Sequence, residues 1–259
     1  MKMGAFAKSM NIGLDLGSRF VKAVFFREGT MVEQRYYDTL AFYRQYGRKI
    51  GEELVIDKKA LQWPSYESVV STGYGRNLIQ VSGGKAIPEL RAHTTGAIYQ
   101  TGLQDFTLLD LGGQDSKVIK VKNGRMIDFR TNDKCAASSG RYLENMAHVL
   151  GLKVEELSNC LDNPVPLSST CAVFGESELI GRIIEGHSIE ALAAGVNETI
   201  VKRVEPMLKE LYSPTIVFTG GVAYNSAIKT MLREVVQAEI IVPQYPQLNG
   251  AIGCAVYPV

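Results

Sequence analysis

The sequence has almost no surplus of charge of either sign, because 28 lysines and arginines stand against 27 aspartates and glutamates, for a formal net charge of +1. A protein that neutralises a nucleic acid backbone or an anionic membrane carries a basic surplus. No apolar run approaches the roughly 20 residues of a membrane span, and the opening MKMGAFAKSM is too short and irregular for a signal peptide. We therefore expect a cytoplasmic protein that binds neither nucleic acid nor membrane.

Cysteine is equally scarce. The chain has four cysteines, and no two of them form the CxxC spacing of a local zinc or iron-sulfur site. The GxxxxGK[ST] motif of phosphate-loop ATPases is also missing. A metal site must therefore be assembled from distant or intermolecular ligands, and a nucleotide site must use another kind of loop. The cysteines are Cys135, Cys160, Cys171 and Cys254.

Two segments, 11–26 and 106–121, resemble each other closely: they read NIGLDLGSRFVKAVFF and FTLLDLGGQDSKVIKV. In each segment an apolar run ends in Asp-Leu-Gly, and a lysine follows the aspartate by seven positions. A β-rich run with a turn signal comes next, REGT in the first copy and KNGR in the second. Two copies of strand, tight loop, strand and hairpin indicate a duplicated α/β lobe. The aspartate and lysine pairs are Asp15 with Lys22 and Asp110 with Lys117.

Helical patterns alternate with strand patterns along the chain, which is typical of α/β sheets. Pro88 and Gly102 delimit a helix between the two copies. The region 33–66 is rich in tyrosine and charge, and it predicts only a helix and loops. We expect two related lobes, 1–100 and 101–259. The further predicted elements are helices at 189–211 and 225–237, a buried strand at 215–221 and a short apolar helix in the final LNGAIGCAVY.

Each repeated motif brings a carboxylate and flexible backbone to the end of a sheet. Glycine lets backbone amides approach an anion closely, and a carboxylate beside phosphates usually holds Mg²⁺. Farther along, FTGGVAYN provides a floor of small residues, Gly220 and Gly221, against which an adenine or ribose could lie. Three tight turns would explain these glycines without any ligand. We favour nucleotide binding, because the motif occurs twice and FTGGVAYN accompanies it.

This arrangement resembles the superfamily of sugar kinases, heat shock ATPases and actin, a duplicated ribonuclease H-like α/β fold with two lobes and a nucleotide cleft between them. The resemblance implies that both hairpins grip the phosphates of ATP or ADP with Mg²⁺, and that the Gly-Gly pair contacts the adenosine. The resemblance falls at Asp15, Gly17, Ser18, Asp110, Gly112, Gly113, Gly220 and Gly221. We expect catalytic roles for Asp15, Asp110 and Gln114. The residues that we expect to bind the cofactor are Asp15, Gly17, Ser18, Arg19, Lys22, Asp110, Gly112, Gly113, Gln114, Gly220, Gly221 and Asn225.

Gln114 is the candidate for orienting the attacking water, because phosphoryl transfer depends more on positioning than on covalent help from the protein. The alternative is that Gln114 merely pairs with backbone.

Cys135 and Cys171 each precede a segment with apolar residues at helical spacing. The amides and dipole at a helix start favour a thiolate and, equally, an anionic metal cluster. Two buried cysteines at helix caps are the alternative. We favour a site because the two contexts match, and we expect Cys160 and Cys254 to be structural. The residues expected on the packed faces are Leu143, Met146, Ala147 and Leu150 after Cys135, and Leu179, Ile180, Ile183 and Ile184 after Cys171.

The motifs TGYGRNLI, DLGGQDSKVI, NDKCAASSGRYL, SSTCAVFGESE, TGGVAYN and NGAIGCAVY together resemble the activators of 2-hydroxyacyl-CoA dehydratases. These BadF/BadG/BcrA/BcrD-type ATPases include the ATPase subunits of benzoyl-CoA reductases and the reductase of double-cubane cluster proteins. Where the family usually has Gly-Thr-Gly after Cys-Ala-Ala, this chain has Ser138, Ser139 and Gly140.

The resemblance implies a homodimer with one [4Fe-4S] cluster, for which Cys135 and Cys171 of both chains supply the four thiolates. It implies that ATP hydrolysis drives an electron, taken from ferredoxin or flavodoxin, into a partner iron-sulfur protein. That partner would be a dehydratase or a double-cubane cluster protein. A small-molecule kinase of the same fold and a noncatalytic nucleotide-dependent switch stay open as alternatives.

Overall fold

A computed structural model of the chain describes residues 10–57, 59–73, 79–81, 84–132, 139–168 and 172–258. The strands are β1 (Met10–Leu16), β2 (Phe20–Arg27), β3 (Thr30–Asp38), β4 (Gly47–Ile50), β5 (Glu53–Ile56), β6 (Ser68–Gly73), β7 (Ile79–Val81), β8 (Lys85–Ala86), β9 (Phe106–Leu111), β10 (Ser116–Lys122), β11 (Arg125–Asn132), β12 (Thr215–Thr219) and β13 (Glu239–Ile241). The helices are α1 (Thr39–Tyr46), α2 (Glu89–Thr101), α3 (Gly140–Val149), α4 (Ala172–Ile184), α5 (Ile189–Glu210), α6 (Ser226–Val236) and α7 (Asn249–Ala255).

The predicted helices between and after the repeats are confirmed. The helix delimited by Pro88 and Gly102 is α2, and those expected at 189–211 and 225–237 are α5 and α6. The end of α2 follows directly from the sequence, because Gly102 adopts a φ of +72° that glycine reaches without strain. The strand expected at 215–221 is β12, and LNGAIGCAVY contains α7.

The chain divides into two compact units, one formed by Met1–Gln100 with Leu248–Val259 and the other by Thr101–Gln247. The first lobe expected from the sequence has the same boundary near residue 100. The second expected lobe, 101–259, differs from the structure at its end, because α7 packs in the first unit.

Small residues explain why α7 joins the first unit. A Cβ added at Gly13 of β1 would lie 1.9 Å from the carbonyl oxygen of Ala251, and one added at Gly253 would lie 1.8 Å from that of Ala92 in α2. The backbones of α7, β1 and α2 therefore touch where any larger side chain would separate them. This contact joins residues that are far apart in sequence, which a local pattern does not reveal.

The two units contain sheets with the same topology. The first sheet has the order β3-β2-β1-β6-β8 and the second has the order β11-β10-β9-β12-β13. In each sheet the first three strands along the chain are antiparallel neighbours, and the central strand pairs in parallel with the strand on its other side. The structure thus contains the duplication that the sequence repeat predicts.

The repeat extends to the details of each hairpin. The Asp-Leu-Gly aspartates, Asp15 and Asp110, are 95 positions apart, and the same offset relates the β-bulge after Phe25 to the one after Lys120. The predicted turns also match: Glu28 and Gly29 have φ values of +51° and +76°, and their counterparts Asn123 and Gly124 have +49° and +67°. Positive φ at both central residues is typical of the tight hairpin turn that suits twisted strands.

The region 33–66 is more ordered than the sequence indicates. Besides α1 it contains β4 and β5, which form a small sheet with β7. Phe42 of α1 is buried, and its ring centroid lies 5.1 to 5.8 Å from those of Tyr37, Tyr43 and Tyr46. The tyrosines that gave this region no clear periodicity are thus packed around one phenylalanine. The prediction of only a helix and loops is therefore incomplete.

The core of the second unit lies between its sheet and the apolar faces of α3, α5 and α6. The expected face of α3 is confirmed, because Leu143, Met146, Ala147 and Leu150 are all buried. None of the helices in the described ranges has the length and apolarity that crossing a membrane requires.

Gly220 provides a test of the backbone at the end of β12. Its φ of +87° and ψ of 175° lie in a region that is essentially restricted to glycine, and an added Cβ would lie 2.0 Å from the carbonyl oxygen of Leu111. We expect Gly220→Ala to lower the free energy of unfolding by about 1–3 kcal/mol from backbone strain alone, with the clash adding to it. Urea unfolding followed by circular dichroism measures this.

The matched control is Gly221→Ala, whose added Cβ would meet only the side chain of Gln247, at 3.6 Å. We expect that variant to unfold within about 1 kcal/mol of the wild type. Equal losses in the two alanine variants would contradict the assigned backbone conformation.

Candidate functional site

In the first unit, Asp15 is the last residue but one of β1 and is only 3% exposed. The antiparallel register places Lys22 of β2 directly across from it, and Lys22 Nζ donates to Asp15 Oδ2 over 3.0 Å. A buried carboxylate needs such a partner, because removing its charge from water costs several kcal/mol. The seven-residue spacing in the sequence is thus the distance around one hairpin.

The loop of this hairpin is Gly17, Ser18 and Arg19. A Cβ at Gly17 would lie 2.7 Å from the carbonyl oxygen of Phe20, so the turn requires glycine here. The Gly17 carbonyl accepts a hydrogen bond from Thr39 Oγ1 at 2.8 Å. Ser18 is half-buried, and the Arg19 guanidinium donates to Asp38 at 3.2 Å. The loop is therefore fixed from α1 and from the end of β3.

In the second unit, Asp110 holds the equivalent place at the end of β9 and is 2% exposed. Thr219 of β12 lies across from it in parallel register, and its hydroxyl donates to Asp110 Oδ1 over 2.7 Å. Lys117 is buried beside the aspartate, with Nζ 3.9 Å from Asp110 Oδ2 and 2.5 Å from Asp115 Oδ2. Asp110 and Lys117 are thus brought together, as Asp15 and Lys22 are in the first unit.

The loop between β9 and β10 contains Gly112, Gly113, Gln114 and Asp115. Its turn is closed by the Gly112 amide, which donates to the Asp115 carbonyl over 3.0 Å. A Cβ at Gly112 would lie 2.6 Å from Asp115 Oδ1, so glycine is needed for this closure. Gln114 is exposed at the tip of the loop, where it is accessible to a ligand or a water.

The same loop is bonded to the start of α3. The amide of Gly140 donates to the carbonyl of Gly112 over 2.9 Å, and the amide of Arg141 donates to the carbonyl of Gly113 over 2.9 Å. These amides have no partner within the helix, since the first N–H groups of any helix lie before its first internal bond. The glycine loop therefore caps α3 through main-chain groups only.

Gly220 and Gly221 are the residues expected to contact the adenosine. The packing requires glycine at Gly220 but not at Gly221. Gly220 is buried, and its backbone conformation is restricted to glycine, whereas Gly221 is exposed and an added Cβ there would make only ordinary contact with the side chain of Gln247. An exposed glycine at a strand end is suited to close approach by a ligand.

Asn225, also expected to bind the nucleotide, has a structural role in this fold. Its Oδ1 accepts from the amide of Ile228 over 3.0 Å as the N-cap of α6, and its Nδ2 donates to Asn197 Oδ1 over 3.0 Å. Asn197 in turn donates to the carbonyls of Leu157 and Cys160. The side chain of Asn225 thus links α6 to α5.

Cys135 and Cys171 lie outside the described residues. The helices that follow them begin at Gly140 for α3 and at Ala172 for α4. The expected packed face of α4 is wrong in part: Leu179 is buried, but Ile184 is 81% exposed. Ile180 and Ile183 are exposed as well. The helical spacing was correct, yet α4 contacts its neighbours along a narrower stripe than four apolar residues indicate.

The two remaining cysteines lie in surroundings that disfavour the thiolate form of the side chain. Cys254 is fully buried in α7, and burial, with a contribution from Asp15, raises the pKa of its thiol well above the ordinary value. Burial also raises the pKa of Cys160, whose sulfur lies 3.7 Å from the carbonyl oxygen of Glu156. A raised pKa disfavours the thiolate that binds iron. Cys135 and Cys171 are the only other thiols in the sequence.

The buried carboxylates fit Mg²⁺, which prefers hard oxygen ligands and often takes one or two carboxylates together with substrate phosphates. Asp15 and Asp110 are of this type, each beside a glycine loop. Within the described residues, no group of three or more His, Cys, Asp or Glu side chains could hold a metal ion. Mg²⁺ would therefore depend on the nucleotide for its other ligands.

Thr219, whose hydroxyl bonds Asp110, was missed by the reasoning from sequence, and Thr72 is its counterpart in the first repeat. Both precede a glycine of positive φ, Gly220 and Gly73, and both lie across from an Asp-Leu-Gly aspartate. The signal was present as a Thr-Gly pair at the end of each apolar run, in VVSTGYG and IVFTGGV.

A family model described as the BadF/BadG/BcrA/BcrD ATPase family matches residues 12–258. A 2-hydroxyisocaproyl-CoA dehydratase activator of Clostridioides difficile is 38% identical over 251 residues, which cover 95% of this chain and 93% of that protein. The (R)-2-hydroxyglutaryl-CoA dehydratase activating ATPase of Acidaminococcus fermentans is 34% identical over 251 residues, covering 95% of each chain.

The comparison with solved structures also finds a dehydratase activator. The activator of the 2-hydroxyisocaproyl-CoA dehydratase from Clostridium difficile, with bound ADPNP, has a TM-score of 0.82 and 35% identity, covering 96% of this chain and 93% of that one. A ROK family glucokinase from Streptomyces griseus has a TM-score of 0.56 at 13% identity, covering 95% and 98%, and shows the fold alone. These matches confirm the expected α/β fold of the actin, Hsp70 and sugar kinase superfamily.

The environments of Cys160 and Cys254 can be tested through their reactivity. In a Cys135→Ser/Cys171→Ser variant at pH 8, we expect Cys160 to react slowly with a thiol reagent such as DTNB and Cys254 not to react while the chain is folded. A raised pKa leaves less thiolate, and burial also blocks access. Both thiols should react fully in guanidinium chloride. Rapid reaction of both in the folded chain would contradict the burial of α7.

Proposed function

Because the chain belongs to the BadF/BadG/BcrA/BcrD ATPase family, we propose that it is an ATP-dependent activator that delivers electrons to a partner iron-sulfur enzyme. The acceptor is a 2-hydroxyacyl-CoA dehydratase or a double-cubane cluster protein. Relatives of similar identity are named for dehydratases of hydroxyisocaproyl-CoA and hydroxyglutaryl-CoA. The activator fold is therefore compatible with different acyl groups, and we assign the class of partner without its substrate.

Nucleotide binding is the first part of the proposal. The glycine loops at Gly17 and Gly112 bind the phosphates of ATP, the carboxylates of Asp15 and Asp110 hold Mg²⁺ directly or through water, and Gly221 lies against the adenosine. The bound ADPNP in the similar activator structure supports this part. Exposed Gln114 orients the water that attacks the terminal phosphate, which yields ADP and phosphate.

The second part concerns the cysteines. In a homodimer, Cys135 and Cys171 of both chains hold one [4Fe-4S] cluster, which takes four thiolates, two from each chain. When bound, the cluster supplies one-electron transfer. The dimer accepts one electron from ferredoxin or flavodoxin and passes one electron to the acceptor.

The observation that carries the proposal is the pair of hydrogen bonds between the glycine loop and α3. Gly112 and Gly113 form the loop assigned to the phosphates, and they accept from the first amides of the helix that follows Cys135. A displacement of this loop on ATP binding or hydrolysis therefore moves the start of α3.

Iron and acid-labile sulfide per chain after anaerobic purification, together with the mass in solution, test the proposal. We expect about two irons and two sulfides per chain in a dimer, as one shared four-iron cluster requires. Cys135→Ser and Cys171→Ser should each abolish the cluster and its visible absorption, whereas Cys160→Ser, the matched control, should retain both.

Two outcomes would overturn this assignment. About four irons per chain would mean that each chain builds its own cluster with Cys160 or Cys254 as a ligand. No iron, even after reconstitution, would favour a kinase or a noncatalytic nucleotide-dependent switch.

A further inference from the structure

The two buried aspartates are held by different partners, although their strands pair alike. Asp15 lies across from Thr72 in the pairing of β1 with β6, as Asp110 lies across from Thr219 in the pairing of β9 with β12. The Thr219 hydroxyl donates to Asp110 Oδ1 over 2.7 Å. The Thr72 hydroxyl donates instead to the carbonyl of Ile87 over 3.0 Å.

The lysines differ in a complementary way. Lys22 Nζ donates to Asp15 Oδ2 over 3.0 Å, whereas Lys117 Nζ lies 3.9 Å from Asp110 Oδ2 and 2.5 Å from Asp115 Oδ2. Attraction between charges weakens with distance, so Lys117 attracts the Asp110 carboxylate less strongly than Lys22 attracts that of Asp15. A hydroxyl, in contrast to an ammonium, fixes the orientation of a carboxylate without neutralising it.

We propose that Thr219 is a positioning residue for the Mg²⁺-nucleotide, acting through Asp110. By holding Oδ1, its hydroxyl keeps the Asp110 carboxylate in one orientation for the cation. Mg²⁺ demands near-ideal octahedral geometry, so a ligand that can rotate binds it less well. Thr219 is itself fully buried, which leaves it no role as a direct contact of the nucleotide. The inference rests on the proposed ATP-binding function.

The test measures the affinity of a fluorescent ADP analogue with Mg²⁺ and with EDTA, and takes the ratio of the two. We expect Thr219→Val, which keeps the shape but removes the hydroxyl, to reduce the Mg²⁺-dependent gain in affinity about tenfold or more, since a hydrogen bond to a charged group is lost. Affinity in EDTA should change little. Thr219→Ser, which retains the hydroxyl, should restore the gain.

The internal repeat provides a matched control. Thr72→Val also removes a buried hydroxyl from a strand end, but that hydroxyl bonds a main-chain carbonyl and not the aspartate. We expect Thr72→Val to lose stability in thermal unfolding to a similar extent and to keep the wild-type ratio.

The outcomes separate this inference from the proposed function. A wild-type chain that binds no nucleotide would overturn both. If the wild-type chain shows the Mg²⁺ effect, either of two results would overturn the role of Thr219 alone. One is that Thr219→Val keeps the wild-type ratio of affinities with and without Mg²⁺, and the other is that Thr219→Ser fails to restore that ratio.

Discussion

The pairing of a buried aspartate with a lysine on the neighbouring strand is the constraint on which both sheets depend. Asp15 and Asp110 lie at strand ends where almost no water reaches them, and an unpaired charge there would cost several kcal/mol. A slip of one residue in the register would turn each lysine to the other face of the sheet. Burial of the carboxylates therefore specifies the hairpin register, and the register in turn defines the loop that follows each aspartate.

Most of this arrangement could be predicted from the sequence, because the interactions that specify it are local. The Asp-to-Lys spacing, the turn residues and the helix boundaries all act over a few positions, so the duplicated fold and the resemblance to the dehydratase activators could be inferred and are confirmed. The features that were not predicted from the sequence depend on contacts between distant residues. They are the strands within 33–66, the exposed side of α4 with Ile184, and the hydrogen bond from the Thr219 hydroxyl to Asp110. The Asn225 side chain has the polar groups of a ligand contact, and its hydrogen bonds to Ile228 and Asn197 reveal that it is also the N-cap of α6.

The two copies share their backbone geometry more closely than their side-chain interactions. Bulges, turns and strand order recur with one offset, yet the Lys22 ammonium donates directly to Asp15, whereas Asp110 lies farther from its lysine and accepts from the Thr219 hydroxyl. Likewise, among the described residues, main-chain bonds from a glycine loop to a helix that follows a cysteine are found for the second loop and not for the first. Equivalent positions in a repeat therefore provide good controls for each other, since the backbone is shared while the side-chain partners differ.

The position of α7 has a consequence for how the chain acquires its structure. The first unit includes the last helix, whose glycines and alanines fill the space between β1 and α2, while the second unit is continuous from Thr101 to Gln247. During synthesis the first unit lacks this helix until the ribosome has made the second unit in full. The second unit, although it is synthesised later, can thus complete its core first. The first unit completes its core last, through contacts of large sequence separation.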